Sequence, residues 1–317
     1  MDYLLLAFGL GLLVKGADFF VEGSSSIAKL LKIPPILIGL TIVAFGTSSP
    51  EAAVSISAAI KGNGSIALGN VIGSNIFNAS LIVGVTAIIY PLKVQRQTIK
   101  KEIPLALLAS IMLFVVISDV FLQGFNENTL TRSDGLVLLG FFSIFLYYVY
   151  ELAAHSREKN SESDATSHLN TPKSIAYTVG GLIGIIFGGN FVVNSSINIA
   201  LSLGMSQTLV GLTIVAVGTS LPELITSITA ARKKESEIAL GNIVGSNIFN
   251  ILFILGASSV ISPLDVDPKV FFDAFAAILI TFVLLIFSSS HKKISKKEGA
   301  FLLLIYIGYT VYIVLRN

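Results

Sequence analysis

The chain has 317 residues, of which 53% are hydrophobic and 13% charged, with a mean hydropathy of +0.83 and a net charge of +2. A soluble domain of this size carries roughly twice that charged fraction, and so small a net charge argues against a nucleic-acid partner. There is no cysteine, which excludes disulfides, thiol catalysis and thiolate metal sites; His155, His168 and His291 all fall in polar stretches, which argues against a histidine metal cage in the membrane.

Apolar runs of about 20 residues recur along the whole length, each long enough to cross a hydrocarbon core. The short alternating segments of a membrane barrel are absent. In chain order the pattern predicts ten spans: 3–28, 36–60, 66–90, 103–121 and 135–152, then 175–203, 208–231, 238–261, 271–289 and 300–315. The first lacks a basic leader and runs past signal-peptide length, so it reads as a span and not a cleaved signal. Residues 155–173, HSREKNSESDATSHLNTPK, are polar and aperiodic and end in Thr-Pro, which predicts a flexible linker. The expected fold is an all-α polytopic membrane protein, with a first five-helix repeat at 1–154, a cytoplasmic linker at 155–173 and a second five-helix repeat at 174–317.

The halves are copies. GLTIVAFGTSSPE (39–51) and GLTIVAVGTSLPE (211–223) agree at 11 of 13 positions, and ALGNVIGSNIFN (67–78) and ALGNIVGSNIFN (239–250) at 10 of 12, with a constant offset of 172. Five spans separate each motif from its copy. Five is odd, so the halves are expected to cross in opposite senses, as the inverted repeats of secondary transporters do. Of the 21 Lys and Arg residues, 16 fall on the side holding the linker, four on the side holding both termini, and Lys15 lies inside the first span. The positive-inside bias therefore predicts both termini outside the cell.

Glu51 and Glu223 sit well inside the second and seventh spans. A carboxylate at the bilayer centre costs about 2.5–3.5 kcal/mol on insertion scales, so it persists where it faces a partner, a cavity or an ion. Lys15 has Asp18 and Glu22 nearby at helical spacing, which leaves no basic residue to neutralise the two glutamates. Together they offer a charge of −2 and up to four oxygens, which suits one hard divalent cation or several monovalent ones. Pro50 has no N–H for the carbonyl of Gly46, nor Pro222 for that of Gly218, so each helix is expected to open there. Opened carbonyls are tolerated where they line a polar cavity. Thr47 shares a face with Glu51, and Thr219 with Glu223; Ser48 and Ser220 add adjacent hydroxyls. Ser74 with Asn78, and Ser246 with Asn250, form a second wall of neutral oxygens suited to Na⁺ or to completing a Ca²⁺ shell. Asn70, Asn75, Asn242 and Asn247 read equally as ligands or as helix–helix hydrogen bonds, and Gly69, Gly73, Gly241 and Gly245 as sites of close helix approach. Asp18 and Glu22 correspond to Asn190 and Asn194 in the other half, which suggests a role near a membrane face, as for Asp273. No nucleotide-binding loop is present.

The paired AFGTSSPE…GNVIGSNIFN and AVGTSLPE…GNIVGSNIFN segments resemble the α-repeats of the Ca²⁺/cation antiporter superfamily, most closely its prokaryotic Na⁺/Ca²⁺ exchanger branch. The resemblance implies exchange of several Na⁺ for one Ca²⁺ by alternating access in a prokaryotic plasma membrane, with the lipid bilayer and the two ions as the partners and no resident cofactor. It implies Ca²⁺ held by the Glu51 and Glu223 carboxylates and the main-chain carbonyls of Thr47 and Thr219. It implies flanking Na⁺ sites that use the Ala44 and Ala216 carbonyls, Ser74, Ser246 and the same glutamates. Asn78 and Asn250 match the remaining central positions, and the first and sixth spans are expected to slide. H⁺- or K⁺-coupled exchange is the alternative, with a cation channel as a more distant one. GTSxPE in place of the proton-coupled branch's acidic motif argues against the first. Asn250, where the K⁺-dependent branch has aspartate, argues against the second.

Overall fold

The computed structural model describes residues 2–159, 169–203 and 216–316. Its helices are α1 (Asp2–Leu31), α2 (Pro35–Thr47), α3 (Ser49–Ile60), α4 (Gly64–Ile89), α5 (Ile103–Val116), α6 (Asp119–Gln123), α7 (Arg132–Lys159), α8 (Thr171–Ser202), α9 (Ala216–Thr219), α10 (Leu221–Arg232), α11 (Ser236–Ile261), α12 (Lys269–His291) and α13 (Lys296–Arg316). Two clips join the loops. Strand β1 (Leu92–Lys93) pairs antiparallel with β4 (Lys293–Ile294), and β2 (Thr129–Leu130) pairs antiparallel with β3 (Leu264–Asp265).

Each expected span is mostly helical where it is described, but among the described residues the number able to cross on length and composition is smaller than ten. Among the described residues seven helices pass, or eight if α2 and α3, bent by 50° at Ser48, count as one broken span. Of the remaining two expected spans, α5 has 14 residues, too few to cross alone. Its helix stops at Ile117–Ser118, short of the expected end at 121, and the preceding π-helical turn Thr98–Glu102 carries Lys100, Lys101 and Glu102. The other span was expected to start at 208, and residues 204–215, including the opening of the second GLTIVAVGTSLPE motif, lie outside the described residues.

The expected linker is shorter than its composition suggested. Helix α7 continues to Lys159 and α8 begins at Thr171, leaving 160–168 outside the described residues. The Thr-Pro pair read as a loop end is a helix start. The Asn170 side chain accepts from the Lys173 backbone N–H at 3.1 Å, and Pro172 sits in the first turn, where no N–H is missed.

Helices α4 and α11 form the centre, with 72% and 94% of their apolar stretches buried, whereas α13 has 11% buried and lies at the rim. Helices α1 and α8 pack along each other for nearly their full length. The Asn198 amide near the end of α8 donates to Asp2 at the start of α1 at 3.2 Å, so the two run antiparallel. Their seam is a glycine ladder at seven-residue spacing, Gly9, Gly16 and Gly23 against Gly181 and Gly188. A Cβ at Gly16 would lie 2.9 Å from the Gly181 carbonyl oxygen, and one at Gly188 2.6 Å from the Leu13 nitrogen, so the backbones touch.

The expectation for the other glycines holds on one side. A Cβ at Gly241 would lie 2.7 Å from the Ile36 carbonyl oxygen, and one at Gly245 2.7 Å from Leu40, so α11 lies close against α2. Gly69 and Gly73 have no such neighbour among the described residues, and the segment related to α2 by the 172 offset is mostly outside them.

Candidate functional site

The GTSxPE motif becomes two half-helices meeting end to end. Helix α2 ends at Thr47, Ser48 leaves helical geometry with φ −80° and ψ 8°, and Pro50 occupies the first turn of α3. Ser220 repeats this between α9 and α10, with φ −91° and ψ 8° and Pro222 in the first turn. The C-terminal carbonyls of α2 present the negative end of a helix dipole, which favours a cation. Glu51 and Glu223 fall in the first turn of α3 and α10, where the positive end favours a carboxylate. Each glutamate is 1% exposed.

Ser48 and Ser220 sit where a serine usually caps its own helix, and neither does so. Ser48 donates instead to Glu223 Oε1 at 2.8 Å, and Ser220 to Glu51 Oε1 at 2.8 Å. The Ser48 and Ser246 hydroxyls lie 2.9 Å apart, and those of Ser220 and Ser74 3.1 Å apart. Each glutamate is thereby tied to a serine from the other motif copy and, through it, to a serine of α4 or α11. Every one of these contacts recurs at the offset of 172.

Asn78 and Asn250 each begin a π-helical turn, Asn78–Ile82 in α4 and Asn250–Leu255 in α11. Such widened turns recur at functional sites. The Asn78 turn packs against α10, which carries Glu223, and the Asn250 turn against α3, which carries Glu51. Four buried oxygens are left without a hydrogen-bond partner here: Oε2 of Glu51, Oε2 of Glu223, Oδ1 of Asn78 and Oδ1 of Asn250. A buried polar atom left unpaired costs about 1–3 kcal/mol, and four acceptors related in pairs by the repeat suit a shared cation.

The sequence signature of the sodium/calcium exchanger protein family matches residues 1–151 and 173–315. The chain belongs to this family. The sodium/calcium exchanger MaX1 of Methanosarcina acetivorans is 36% identical to it over 98% of both chains. CaxA of Alkalimonas amylolytica, named as an antiporter, is 40% identical over 95% of both. The solved structure of the sodium-calcium exchanger NCX_Mj soaked with 2.5 mM Na⁺ and 1 mM Sr²⁺ matches with a TM-score of 0.85 and 32% identity, covering 100% of this chain and 98% of that one. The protein is thus an all-helical integral membrane antiporter of the sodium/calcium exchanger type.

In this exchanger the remaining motif residues take two kinds of place. Thr47 spends its hydroxyl on Asn242 Oδ1 at 3.0 Å, and Thr219 lies 3.5 Å from Asn70 Oδ1. Asn70 in turn donates to Ser55 at 2.9 Å and Asn242 to Ser227 at 2.9 Å. Of the two readings open for Asn70 and Asn242, helix bracing is the one the contacts favour. Asn75 and Asn247 likewise bond across between α4 and α11. The Ala44 carbonyl oxygen lies 3.5 Å from the Ser246 hydroxyl. Ala216 opens α9, directly after the residues that are not described. Ser55 and Ser227 were not foreseen, although both lie four residues after a glutamate and 172 apart, a signal the repeat carried.

Asp18 and Glu22 do not pair with Lys15. They meet Lys233, at 3.9 and 3.6 Å, and Ser25 donates to Glu235 at 2.7 Å, so the end of α1 is tied to the loop after α10. Asp273 is bound by both Arg316 terminal nitrogens at 3.0 Å, joining α12 to the end of α13.

Proposed function

We propose that the protein exchanges Na⁺ for Ca²⁺ by alternating access, with the two ions competing for one mid-membrane site built on Glu51 and Glu223. The observation that carries this reading is the set of four buried, unpartnered oxygens on Glu51, Glu223, Asn78 and Asn250. Calcium takes 6–8 oxygen ligands. The glutamates supply charge that matches a divalent cation, and the Thr47, Thr219, Ala44 and Ala216 carbonyls with Ser48, Ser220, Ser74 and Ser246 supply neutral oxygens around them. Sodium, with one charge, fills the same ring as several ions.

Competition at shared carboxylates couples the gradients without a remote signal. An empty site carries two unpaired buried charges, whose desolvation disfavours the switch between faces. Only loaded forms then cross. The repeat at offset 172 and its exchanged serine–glutamate bonds support two five-helix halves of opposite orientation, 1–154 and 174–317, making ten spans in all, with the turn Thr98–Glu102 lengthening α5 to a crossing. The Lys and Arg bias supports both termini outside, and the bacterial and archaeal relatives support a prokaryotic plasma membrane. The close backbone contact along the α1–α8 seam supports those helices moving as one pair over the rest.

Transport in sealed proteoliposomes tests this. Ca²⁺ should enter only when Na⁺ is present on the opposite side, and should carry net charge. Ca²⁺ flux that persists without counter-Na⁺ would overturn Na⁺ coupling: dependence on opposing H⁺ or K⁺ would then mark exchange for that ion, and dependence on neither a channel or uniporter.

A further inference from the structure

Four asparagine amides where α4 meets α11 form a network whose polarity is set by two main-chain carbonyls. Asn75 Nδ2 donates to the Asn247 carbonyl oxygen at 3.1 Å, and Asn247 Nδ2 donates to the Asn75 carbonyl oxygen at 3.4 Å. A main-chain carbonyl only accepts. Each of these amides must therefore aim its NH2 at the carbonyl and turn its own oxygen the other way. Asn75 Oδ1 then accepts from Asn250 Nδ2 at 3.0 Å, and Asn247 Oδ1 accepts from Asn78 Nδ2 at 3.1 Å. With their nitrogens held against these acceptors, Asn250 and Asn78 turn their oxygens the other way. Those are the two amide oxygens found buried and unpartnered. Asn75 and Asn247 are themselves 3% and 4% exposed, so water does not compete for either bond.

We propose that Asn75 and Asn247 are positioning residues that lock the amides of Asn250 and Asn78 so that carbonyl oxygens, and not NH2 groups, face the cation. The proposal rests on the central-site reading above. An asparagine amide is nearly symmetric in shape, and a half-turn exchanges its acceptor for two donors. In a cation site that exchange removes one ligand and places partial positive charge where the ion sits. Asn78 and Asn250 alone do nothing to choose between the two orientations; a fixed acceptor opposite their nitrogen does. The lock crosses the halves, since Asn75 of the first orients Asn250 of the second and Asn247 orients Asn78. The same residue types in the same motif thus serve two roles: the asparagine after GlySer sets polarity, and the one three residues on faces the ion.

The test is a double-mutant cycle on the reconstituted exchanger. Asn75→Leu and Asn247→Leu should each raise the KM for Ca²⁺ about tenfold with Vmax changed less than twofold, and thermal unfolding in detergent checks that each variant is folded. Asn250→Asp bears oxygen on both branches and is indifferent to a half-turn. Adding Asn75→Leu to Asn250→Asp should therefore shift the KM less than twofold from that of Asn250→Asp alone. Where a variant binds without transporting, Ca²⁺ titration by calorimetry gives the same ratios. If Asn75→Leu does not fold, Asn75→Ala takes its place in the cycle. A tenfold shift in both backgrounds, or none from either Leu variant, overturns the proposal. Glu51→Gln is run alongside: normal transport by that variant sinks the central-site reading itself, whereas loss of transport together with an additive cycle sinks only the amide lock.

Discussion

The Ser220 hydroxyl donates to Glu51 Oε1 at 2.8 Å, although the two residues are 169 positions apart and belong to different copies of the motif. Ser48 and Glu223 make the same bond in reverse. The residue that begins one half-helix therefore holds the carboxylate of the other, and neither copy is complete without its partner. The proposed ion site is a property of the pair of repeats.

Removing the charges should end transport. Glu51→Gln and Glu223→Gln keep the shape and the serine contact but halve the charge offered to a divalent ion. Each variant is expected to fold and to show no Na⁺-driven Ca²⁺ uptake in proteoliposomes. Near-normal uptake by either would take both residues out of the site.

Losing the crossed serines should weaken ion binding while leaving transport measurable. A hydrogen bond to a charged group is worth about 1.5–3 kcal/mol, or roughly 10- to 150-fold in an equilibrium constant. Ser48→Ala and Ser220→Ala should raise the KM for Ca²⁺ within that range, and by similar factors, since their contacts are equivalent. A large effect from one and none from the other would contradict the paired geometry.

The glycine seam should tolerate no side chain. At Gly188 a new Cβ would meet the Leu13 nitrogen at 2.6 Å, so Gly188→Ala must push α8 off α1. Overpacking of this kind costs about 1–3 kcal/mol, readable as a lowered melting temperature in detergent. Gly180→Ala on the same helix meets nothing within 4 Å and is the matched control, with an unchanged melt.

The ion pairs at the rim should differ in weight. Lys233, Asp18 and Glu22 have side chains 31%, 39% and 47% exposed, and their separations are 3.6 Å or more. Pairs of this kind contribute about 0–1 kcal/mol, so Glu22→Gln should leave the melting temperature nearly unchanged. Arg316 and Asp273 are 16% and 17% exposed and joined by two bonds. Asp273→Asn should lower the melting temperature clearly more than Glu22→Gln does. Equal effects would mean that burial does not decide the matter here.

Potassium should not be required. With Asn250 and not an acid at that position of the proposed site, no carboxylate stands there to hold a third kind of cation. Adding K⁺ to Na⁺-driven Ca²⁺ uptake should leave the rate roughly unchanged, and a strict K⁺ requirement would assign the protein to the other coupling class.

Much of this was fixed along the chain. Hydropathy is local, so the helical segments, their order and the break at Ser48–Pro50 followed from composition and from the N–H that proline lacks. The repeat exposed the glutamates and the asparagines because each appears twice at one spacing. Contacts between distant segments were another matter. Helical spacing put Lys15 beside Asp18 and Glu22, yet Lys233 reaches them, because folding brings the loop after α10 against α1. Local preference marked Ser48 and Ser220 as caps for their own helices, yet both hydroxyls point across to the opposite glutamate. A hydroxyl proton goes to the strongest acceptor in reach, and which acceptors are in reach depends on how helices far apart in sequence are stacked. The sequence by itself determined which groups could be ligands; only the packing of α3 and α10 around α4 and α11 decided which oxygens were spent on one another and which were left unpaired.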